Sequence, residues 1–405
     1  AASIAAVIAA ITGVVLKINE FRKLANERED ASADVKALTG LDDASVKWLE
    51  QQAVRLSTSM TSSGVRIKQS ASEILDAYKL VGSAKPELLS NKEALAQVTE
   101  QTLILAAASG MKLTDAVDAV TLSMNQYGAQ ANEAARFTNV MAAGSKYGSA
   151  AVESVTRSIL NSGVAAASAD VPIEQLVGTL ETLAEKGIKE EVAGTGLKKF
   201  FLTLQTGADD TNPKVVGLYQ ALDNLAAKGL TAAEIKKQFG EEGYNVASVL
   251  INSTEKVKSY TAAVTGTSVA TEQAAIKSDT LSSKIAQARN ELNEQGIILA
   301  KSLNPAITQL LNGLVNWTRY GVELVKWLNE HREILVPVIA ALSSYYATVG
   351  MINVATALWN NRTKASAILM GTLKSGMALA RVAMILFTQG LSAAKMEMTK
   401  LNTVI

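Results

Sequence analysis

The residues whose types and spacing come closest to a chemical motif are Gly194-Thr195-Gly196. Two glycines one residue apart occur in nucleotide-binding loops, where backbone N–H groups approach a phosphate closely. A dinucleotide loop needs a third glycine where this chain has Lys199, and a phosphate loop needs Gly-Lys-Ser/Thr where Leu197 follows Gly196. The pattern instead indicates a junction of small residues at which helices approach each other closely.

Other reactive side chains are scarce. The chain has no cysteine, which excludes disulfides, thiolate zinc sites and cysteine nucleophiles. Its one histidine, His331, has no second histidine with which to bind a metal. The carboxylates are scattered over predicted helix surfaces, and no basic stripe with interleaved aromatic residues suggests nucleic-acid binding. We therefore predict no catalytic, cofactor-binding or metal-binding residues, and no enzyme activity.

The elements that carry these residues are predicted to be helices. Three patterns of the capping-box type begin at Ser70, Ser90 and Thr231, each with a glutamate three residues later and an apolar-periodic run behind it. Gly40 is a predicted helix C-cap and Asp42 or Asp43 a predicted N-cap. The sequence therefore predicts an all-α fold.

Glycines punctuate the predicted helices at a loose interval. Gly110, Gly144, Gly187 and Gly229 follow similar alanine-rich runs and lie 34, 43 and 42 residues apart. That interval fits one helical hairpin, and stacked hairpins bury a shared seam. We predict a bundle of short helical hairpins, followed by a longer coiled-coil-like helix and hydrophobic helices.

The longer helix is predicted from an apolar spacing near 3.5 residues, with Leu281, Ile285, Ala288, Leu292 and Leu299 as its seam. Asn304-Pro305 is predicted to break it, because proline lacks the N–H donor and clashes with the preceding turn.

Five segments follow from these patterns. They are an apolar-then-charged helix at residues 1–33, a helical-hairpin core domain at 34–252, a linker at 253–270, a long amphipathic helix pair at 271–330, and a hydrophobic cationic helical segment at 331–405.

Two stretches raise the question of a membrane. Residues 1–16 carry no charge but are shorter than the roughly 20 residues that span a bilayer. Residues 334–361 also carry none, and are long enough to span. The membrane-candidate side chains there are Leu335, Ile339, Leu342, Ile352 and Leu358. For both stretches, burial in protein is the alternative interpretation.

Charge is distributed unevenly. The chain has a net charge of +1, but residues 331–405 hold seven Lys/Arg and two Asp/Glu, a net of +5, which leaves −4 for residues 1–330. The cationic, apolar last segment keeps a membrane-seeking role open.

One stretch has a recognisable family pattern. A helix that ends at Gly187-Ile188, followed by Ala193-Gly194-Thr195-Gly196-Leu197, resembles the core region of phage tail tape measure proteins. Residues 34–41 resemble the start of that core, and residues 281–306 resemble its exit helix. The resemblance covers most of residues 30–360, and we expect the chain to be an internal part of a longer phage or prophage protein.

The resemblance implies a structural protein of the tail tube lumen, in the virion, with the host cytoplasm as its site during assembly. Such proteins set tail length, template tube assembly with tail chaperones, and leave the tube at infection, often helping DNA across the host envelope. Implied partners are the tail tube protein, the tail assembly chaperones, the baseplate or tail tip proteins, the host membrane and further copies of the chain, as a trimer or hexamer. The implied structural junction is Gly187, Ala193, Gly194, Gly196 and Leu197. The competing hypothesis is a membrane-active helical protein that forms pores or translocates a cargo.

Overall fold

The structure is a computed structural model that describes residues 2–317, with the backbone alone for residues 2–15, 299 and 302–317. No strand is assigned within residues 2–317, so the predicted all-α fold is confirmed. The α-helices are α1 Ala2–Thr39, α2 Asp43–Thr58, α3 Ala71–Ala84, α4 Lys92–Ser109, α5 Leu113–Tyr127, α6 Ala134–Tyr147, α7 Val152–Ser168, α8 Ile173–Ala184, α9 Glu190–Gln205, α10 Pro213–Val216, α11 Leu218–Ala227, α12 Ala232–Leu250, α13 Thr254–Val264, α14 Val269–Ser278 and α15 Leu281–Trp317. Short 3₁₀ helices lie at Pro86–Ser90, Ala131–Glu133 and Asp209–Thr211.

Side-chain caps begin several of these helices. Ser70 and Thr231 form complete capping boxes with the glutamates that follow them, as predicted. The predicted box at Ser90 is wrong, because Ser90 ends the 3₁₀ helix and Asn91 caps α4 instead. The Asn91 side-chain oxygen accepts a hydrogen bond from the backbone N–H of Ala94 at 2.9 Å. Asparagine is as strong an N-cap as serine, so the next residue along replaced the predicted one.

Three of the four punctuating glycines lie at helix ends. Gly110, Gly187 and Gly229 all have positive φ, between +58° and +85°, which glycine adopts without a steric penalty. Gly144 is different, because it lies inside α6 and contacts α8. The loose repeat therefore reflects helix ends in three of its copies and a close helix contact in the fourth.

Residues 30–287 form one compact unit, here called the core unit. Its most extensive helix contacts join helices that are not neighbours in sequence, α7 with α9 and α8 with α13. Helix α9 also packs on α12, and α14 packs on α4 and α6. The core unit is thus held together by non-sequential pairs as well as by hairpins.

The described residues 2–29 and 288–317 belong to a second unit, here called the terminal unit. Its two helical segments pack so closely that a Cβ on Gly296 would lie 2.3 Å from the Phe21 ring. Arg28 and Glu294 form a buried ion pair nearby. Ion pairs with both partners buried need close geometry to offset desolvation, so this pair fixes the register of the two segments.

The segment predicted as a linker is helical over most of its length. Residues 253–270 contain all of α13 and the start of α14. Val257 and Val264 of α13 are fully buried. The high Ser, Thr, Ala and Val content that suggested a linker instead provides small side chains for close helix packing.

Helix α15 differs from its prediction in two ways. The helix continues without interruption from Leu281 to Trp317, so the predicted break at Pro305 is wrong. Proline removes one N–H donor from a helix, but a helix whose flanking turns are intact can bend at the proline without ending there. The predicted apolar seam is also displaced, since Leu281 is 37% exposed while Ser283 and Gln287 are buried.

The membrane-candidate residues Leu335, Ile339, Leu342, Ile352 and Leu358 lie outside the described residues, as does His331. Within residues 2–317, no helix combines the length and the apolar character that crossing a bilayer requires.

Candidate functional site

The residues singled out by sequence lie on α9 and the turn before it. Gly187 has a φ of +77° in the turn that follows α8, and no atom lies within 4 Å of the position where a Cβ would be. Ala193, Gly194, Gly196 and Leu197 are buried in the first half of α9. These five residues are here called the glycine junction. Within it, Gly187 has a conformational role and the other four have packing roles.

Gly194 lies against α7. A Cβ at this position would be 2.7 Å from the Cβ of Asn161 and 2.8 Å from the carbonyl oxygen of Ser158. The Ser158 hydroxyl donates to the carbonyl oxygen of Glu190 at 2.9 Å, which ties the start of α9 to the same turn of α7. A backbone oxygen cannot move aside as a flexible side chain can, so only glycine fits here.

Gly196 lies against α12 on another side of α9. A Cβ there would be 2.4 Å from a methyl group of Val246 and 3.0 Å from the carbonyl oxygen of Glu242. One turn further along, the rings of Phe200 and Phe239 stack with centroids 5.1 Å apart. Glycine thus brings the two helices together and the aromatic pair then fills the space between them.

The position of the two glycines also decides the nucleotide question. They lie inside α9, beyond its first turn, where backbone N–H groups are committed to the helix. Glu190 and Glu191 occupy the first turn. Their negative charge opposes an anion at the helix N-terminus, where the helix dipole would otherwise favour one.

A buried carboxylate lies on α8, beside the loop that leads into α7. Glu181 is fully buried, and its Oε2 accepts backbone N–H groups from Ser149 at 2.7 Å and Ala150 at 3.1 Å. Its Oε1 has no hydrogen-bond partner. Gly148 makes room for the carboxylate, because a Cβ there would be 1.9 Å from Oε2.

Burial raises the pKa of Glu181 to about 7, against the hydrogen bonds from the loop that lower it. Lys189, in the turn before α9, donates from Nζ to the carbonyl oxygen of Ser149 at 2.6 Å. The loop at 148–150 is therefore held from one side by α8 and from the other by the turn that contains Gly187. This network connects the glycine junction to the centre of the core unit.

A second buried charge joins α6 to α8. Arg136 donates to both oxygens of Glu174, Nε to Oε1 at 2.6 Å and Nη2 to Oε2 at 2.8 Å. Burial raises the pKa of Glu174, but the hydrogen bonds and positive charge of Arg136, together with a backbone hydrogen bond, outweigh it, so the pKa lies below its ordinary value. Such bidentate pairs fix the orientation of both side chains.

Sequence reasoning missed both glutamates because it placed the carboxylates on helix surfaces. A signal was present for Glu181. It lies four residues after Val177 and three before Ala184, on the apolar face of its helix. A carboxylate on the apolar face of a helix is either buried with that face, or the helix must rotate about its axis to expose the carboxylate to water.

The glycine junction packs helices together, and Glu181 can bind a proton. In the part of the chain that the structure describes, no group of His, Asp or Glu side chains is arranged to hold a metal ion. The arrangement brings together α7, α8, α9 and α12 around close backbone contacts and one protonatable carboxylate.

Comparison with known proteins finds that this chain is similar to proteins of phage tails. A family model described as phage-related minor tail protein matches residues 50–216, from α2 to α10, and so includes the glycine junction. The tape measure protein of Pneumococcus phage Dp-1 is 24% identical over 359 residues, which cover 82% of this chain. The chain spans about 30% of the length of that curated relative. No solved structure matches the chain significantly. The two sequence comparisons thus confirm the predicted family resemblance, since this chain is similar to a phage tape measure protein and to phage-related minor tail proteins.

Proposed function

We propose that this chain is a structural part of a phage tail tape measure protein, located in the lumen of the tail tube. The whole tape measure protein determines tail length, templates tube assembly and leaves the tube during genome ejection, and this chain is a folded part of it. The observation that carries the proposal is the similarity to a tape measure protein over 82% of the chain. The all-α fold and its close helix packing are consistent with a structural role.

Within such a protein, the core unit is a folded packing module and the length-determining ruler lies elsewhere. A ruler is extended, and at 1.5 Å per residue the described lengths of α1, with 38 residues, and of α15, with 37, are about 57 Å and about 56 Å. Between them, α2–α14 fold back on one another. Residues in such a compact unit add little length per residue.

The partners proposed for this role are the tail tube protein, the tail assembly chaperones and the baseplate or tail tip proteins. Self-association as a trimer or hexamer would match the symmetry of a tube. Co-purification of the chain with the tube protein, and light scattering of the chain alone, test these two proposals separately.

The experiment that tests the function is a length series in the phage. Residues 30–330 are shortened or duplicated in frame, and tails are measured by electron microscopy. We expect tails that fail to assemble, or whose length does not follow the number of residues changed. Tail length strictly proportional to that number would contradict the packing-module role. Normal infectious tails after complete removal of the segment would contradict a tail function.

A second candidate function rests on residues 331–405 alone. Their net charge of +5 and the uncharged run at 334–361 favour insertion into an anionic membrane during ejection. A peptide of residues 331–405 is expected to release dye from anionic liposomes. Absence of both binding and leakage would remove this candidate without affecting the first.

A further inference from the structure

Helices α13 and α14 lie across the core unit as a strap. The name is used here for residues 254–278. Helix α13 packs on α8 and α6, and α14 packs on α6 and α4. The strap is also the last part of the core unit before α15 begins at Leu281. It therefore packs mainly on three helices, with a smaller contact to α11, and it directly precedes α15 in the chain.

The apolar side chains that anchor the strap are small. Its buried side chains are small, consisting of Val257, Val264, Val269, Ala270, Ala274, Thr254, Thr261 and Ser278. Helix α9 by contrast buries Leu197, Phe200, Phe201 and Leu204. Because stabilisation by burial scales with the apolar area removed from water, the strap is held less strongly than α9.

At one point the strap and α8 approach each other closely, which compensates for the small size of the buried side chains of the strap. A Cβ on Gly178 of α8 would lie 2.4 Å from the Thr261 hydroxyl oxygen and 2.8 Å from the Thr261 backbone nitrogen. Further along, the backbone N–H of Ala270 donates to the side-chain oxygen of Asn139 at 2.9 Å. These contacts fix where the strap lies but bury little apolar area.

The charged contacts of the strap are at the surface. Lys256 pairs with Glu185 at 2.6 Å, and Glu272 pairs with Lys146 at 3.4 Å. Each of these side chains except that of Glu185 is more than a third exposed. Exposed ion pairs contribute little to stability, so they give the strap specificity of position more than strength.

One residue, through its backbone and its side chain, holds the joint between the strap and α15. Arg66 lies in the loop between α2 and α3, and its backbone N–H donates to the hydroxyl of Ser278 at 3.0 Å. Its Nη1 donates to Gln287 at 2.6 Å, and its Nε lies 4.0 Å from the Asp279 carboxylate. A single residue thus contacts the last turn of the strap, the joint and the start of α15.

We propose that the strap is a detachable closure of the core unit, which opens as a unit before the helices beneath it when force is applied through α15. The contacts of Arg66 with Ser278, Asp279 and Gln287 resist this opening. The setting, exit of the chain from the tube under tension, rests on the function proposed above, but the mechanical property is intrinsic to the chain.

Hydrogen exchange on the intact 405-residue chain tests the order of opening. We expect the amides of the strap to exchange together and ~100-fold faster than those of α8 and α9, because sub-global units open at their own free energy. Arg66→Ala keeps the backbone hydrogen bond to Ser278 but removes the side-chain contacts with Asp279 and Gln287 that hold the end of the strap. It is expected to accelerate the strap amides by a further ~10-fold. Lys47→Ala, which removes an exposed charge elsewhere, is the matched control and should change nothing. Strap amides that exchange no faster than α8, or an Arg66→Ala effect shared by every helix, would overturn the proposal.

Single-molecule pulling tests the response to force. The absence of native cysteine allows handles to be attached at two exposed positions, Lys198→Cys on α9 and Ser282→Cys on α15. We expect a first step of ~90 Å, the extended length of residues 254–278, before the remaining chain yields. A single step, or a first step that matches residues 206–250, would contradict the proposal. Neither result depends on whether the chain acts in a phage tail.

Discussion

At the scale of single residues, Glu181 shows how the core unit binds a proton. One of its oxygens accepts two backbone N–H groups and the other has no partner, although the side chain is fully buried. An ionised carboxylate is costly in such a place. Its pKa is therefore raised to about 7 by burial, which makes the stability of the core unit sensitive to pH near neutrality.

Glu181→Gln is expected to remove this sensitivity. The folded-state pKa of about 7 lies above the ordinary 4.5, so the contribution of Glu181 to stability is greatest below pH 4.5 and is lost as the pH rises through about 7. The amide does not titrate, so the variant should be more stable than the parent at pH 8, by up to about 3 kcal/mol. Urea unfolding at pH 4, 6 and 8 measures the difference.

Glu185→Gln is the matched control, one helical turn further along. Hydrogen bonds from Lys256 and Tyr260 lower the pKa of Glu185, so its contribution to stability is present at neutral pH and lost in acid. This variant should lose a little stability at pH 8. Equal pH profiles for the two variants would show that the burial of Glu181 is not the cause.

Gly194 is the residue at which the glycine junction can be tested directly. Gly194→Ala is expected to destabilise the core unit by about 1–3 kcal/mol, because its Cβ would meet the backbone of Ser158 at 2.8 Å. Gly194→Leu should disrupt the packing of α9 on α7 and, in the phage, tail assembly. Thr195→Ala, at the exposed neighbouring position, is the control and should be close to neutral. Denaturant unfolding that finds the two alanine variants equally stable would remove the steric argument.

At the scale of elements, two adjacent residues, Ser90 and Asn91, are candidates for the N-cap of α4, and substitution can distinguish them. Asn91→Ala is expected to cost about 1 kcal/mol, because it removes the acceptor for the Ala94 N–H. Ser90→Ala should cost much less, since the Ser90 hydroxyl makes only a 3.5 Å contact with the carbonyl oxygen of Glu87. Thermal unfolding of both variants measures this, and the reverse order would restore the cap predicted from sequence.

Helix α15 shows why element boundaries are hard to read from proline alone. Proline at 305 predicted a break, yet the helix is assigned through it. The apolar seam predicted near Leu281 is also not the buried side. The buried side instead includes Gln287, which accepts a hydrogen bond from Arg66, and Glu294, which pairs with Arg28. Partners distant in sequence thus decided which face of the helix is covered.

At the scale of the whole molecule, the core unit is expected to fold by itself. It has its own buried core, and its helix pairs α7–α9 and α8–α13 connect parts of the chain far apart in sequence. Residues 30–287 expressed alone should give a helical circular dichroism spectrum and a single cooperative urea transition. A gradual, non-cooperative loss of helix would show instead that the core unit depends on the rest of the chain.

The sequence by itself determined the local features. The all-α fold, the capping boxes at Ser70 and Thr231, and the glycine helix ends follow from residues within a few positions of each other. Backbone propensity and hydrogen bonding between neighbours govern these features, and both can be read from a short window. The family resemblance was readable for the same reason, because the glycine junction is a contiguous pattern.

Only the tertiary structure decided the features that depend on distant partners. Glu181 is buried because α8 packs beside the 148–150 loop, and Glu174 because Arg136 lies on another helix. Residues 253–270, predicted as a linker, lie almost entirely in the strap because α8, α6 and α4 offer a surface for small side chains. Burial depends on which helices meet, and the pattern along one helix does not specify its neighbours.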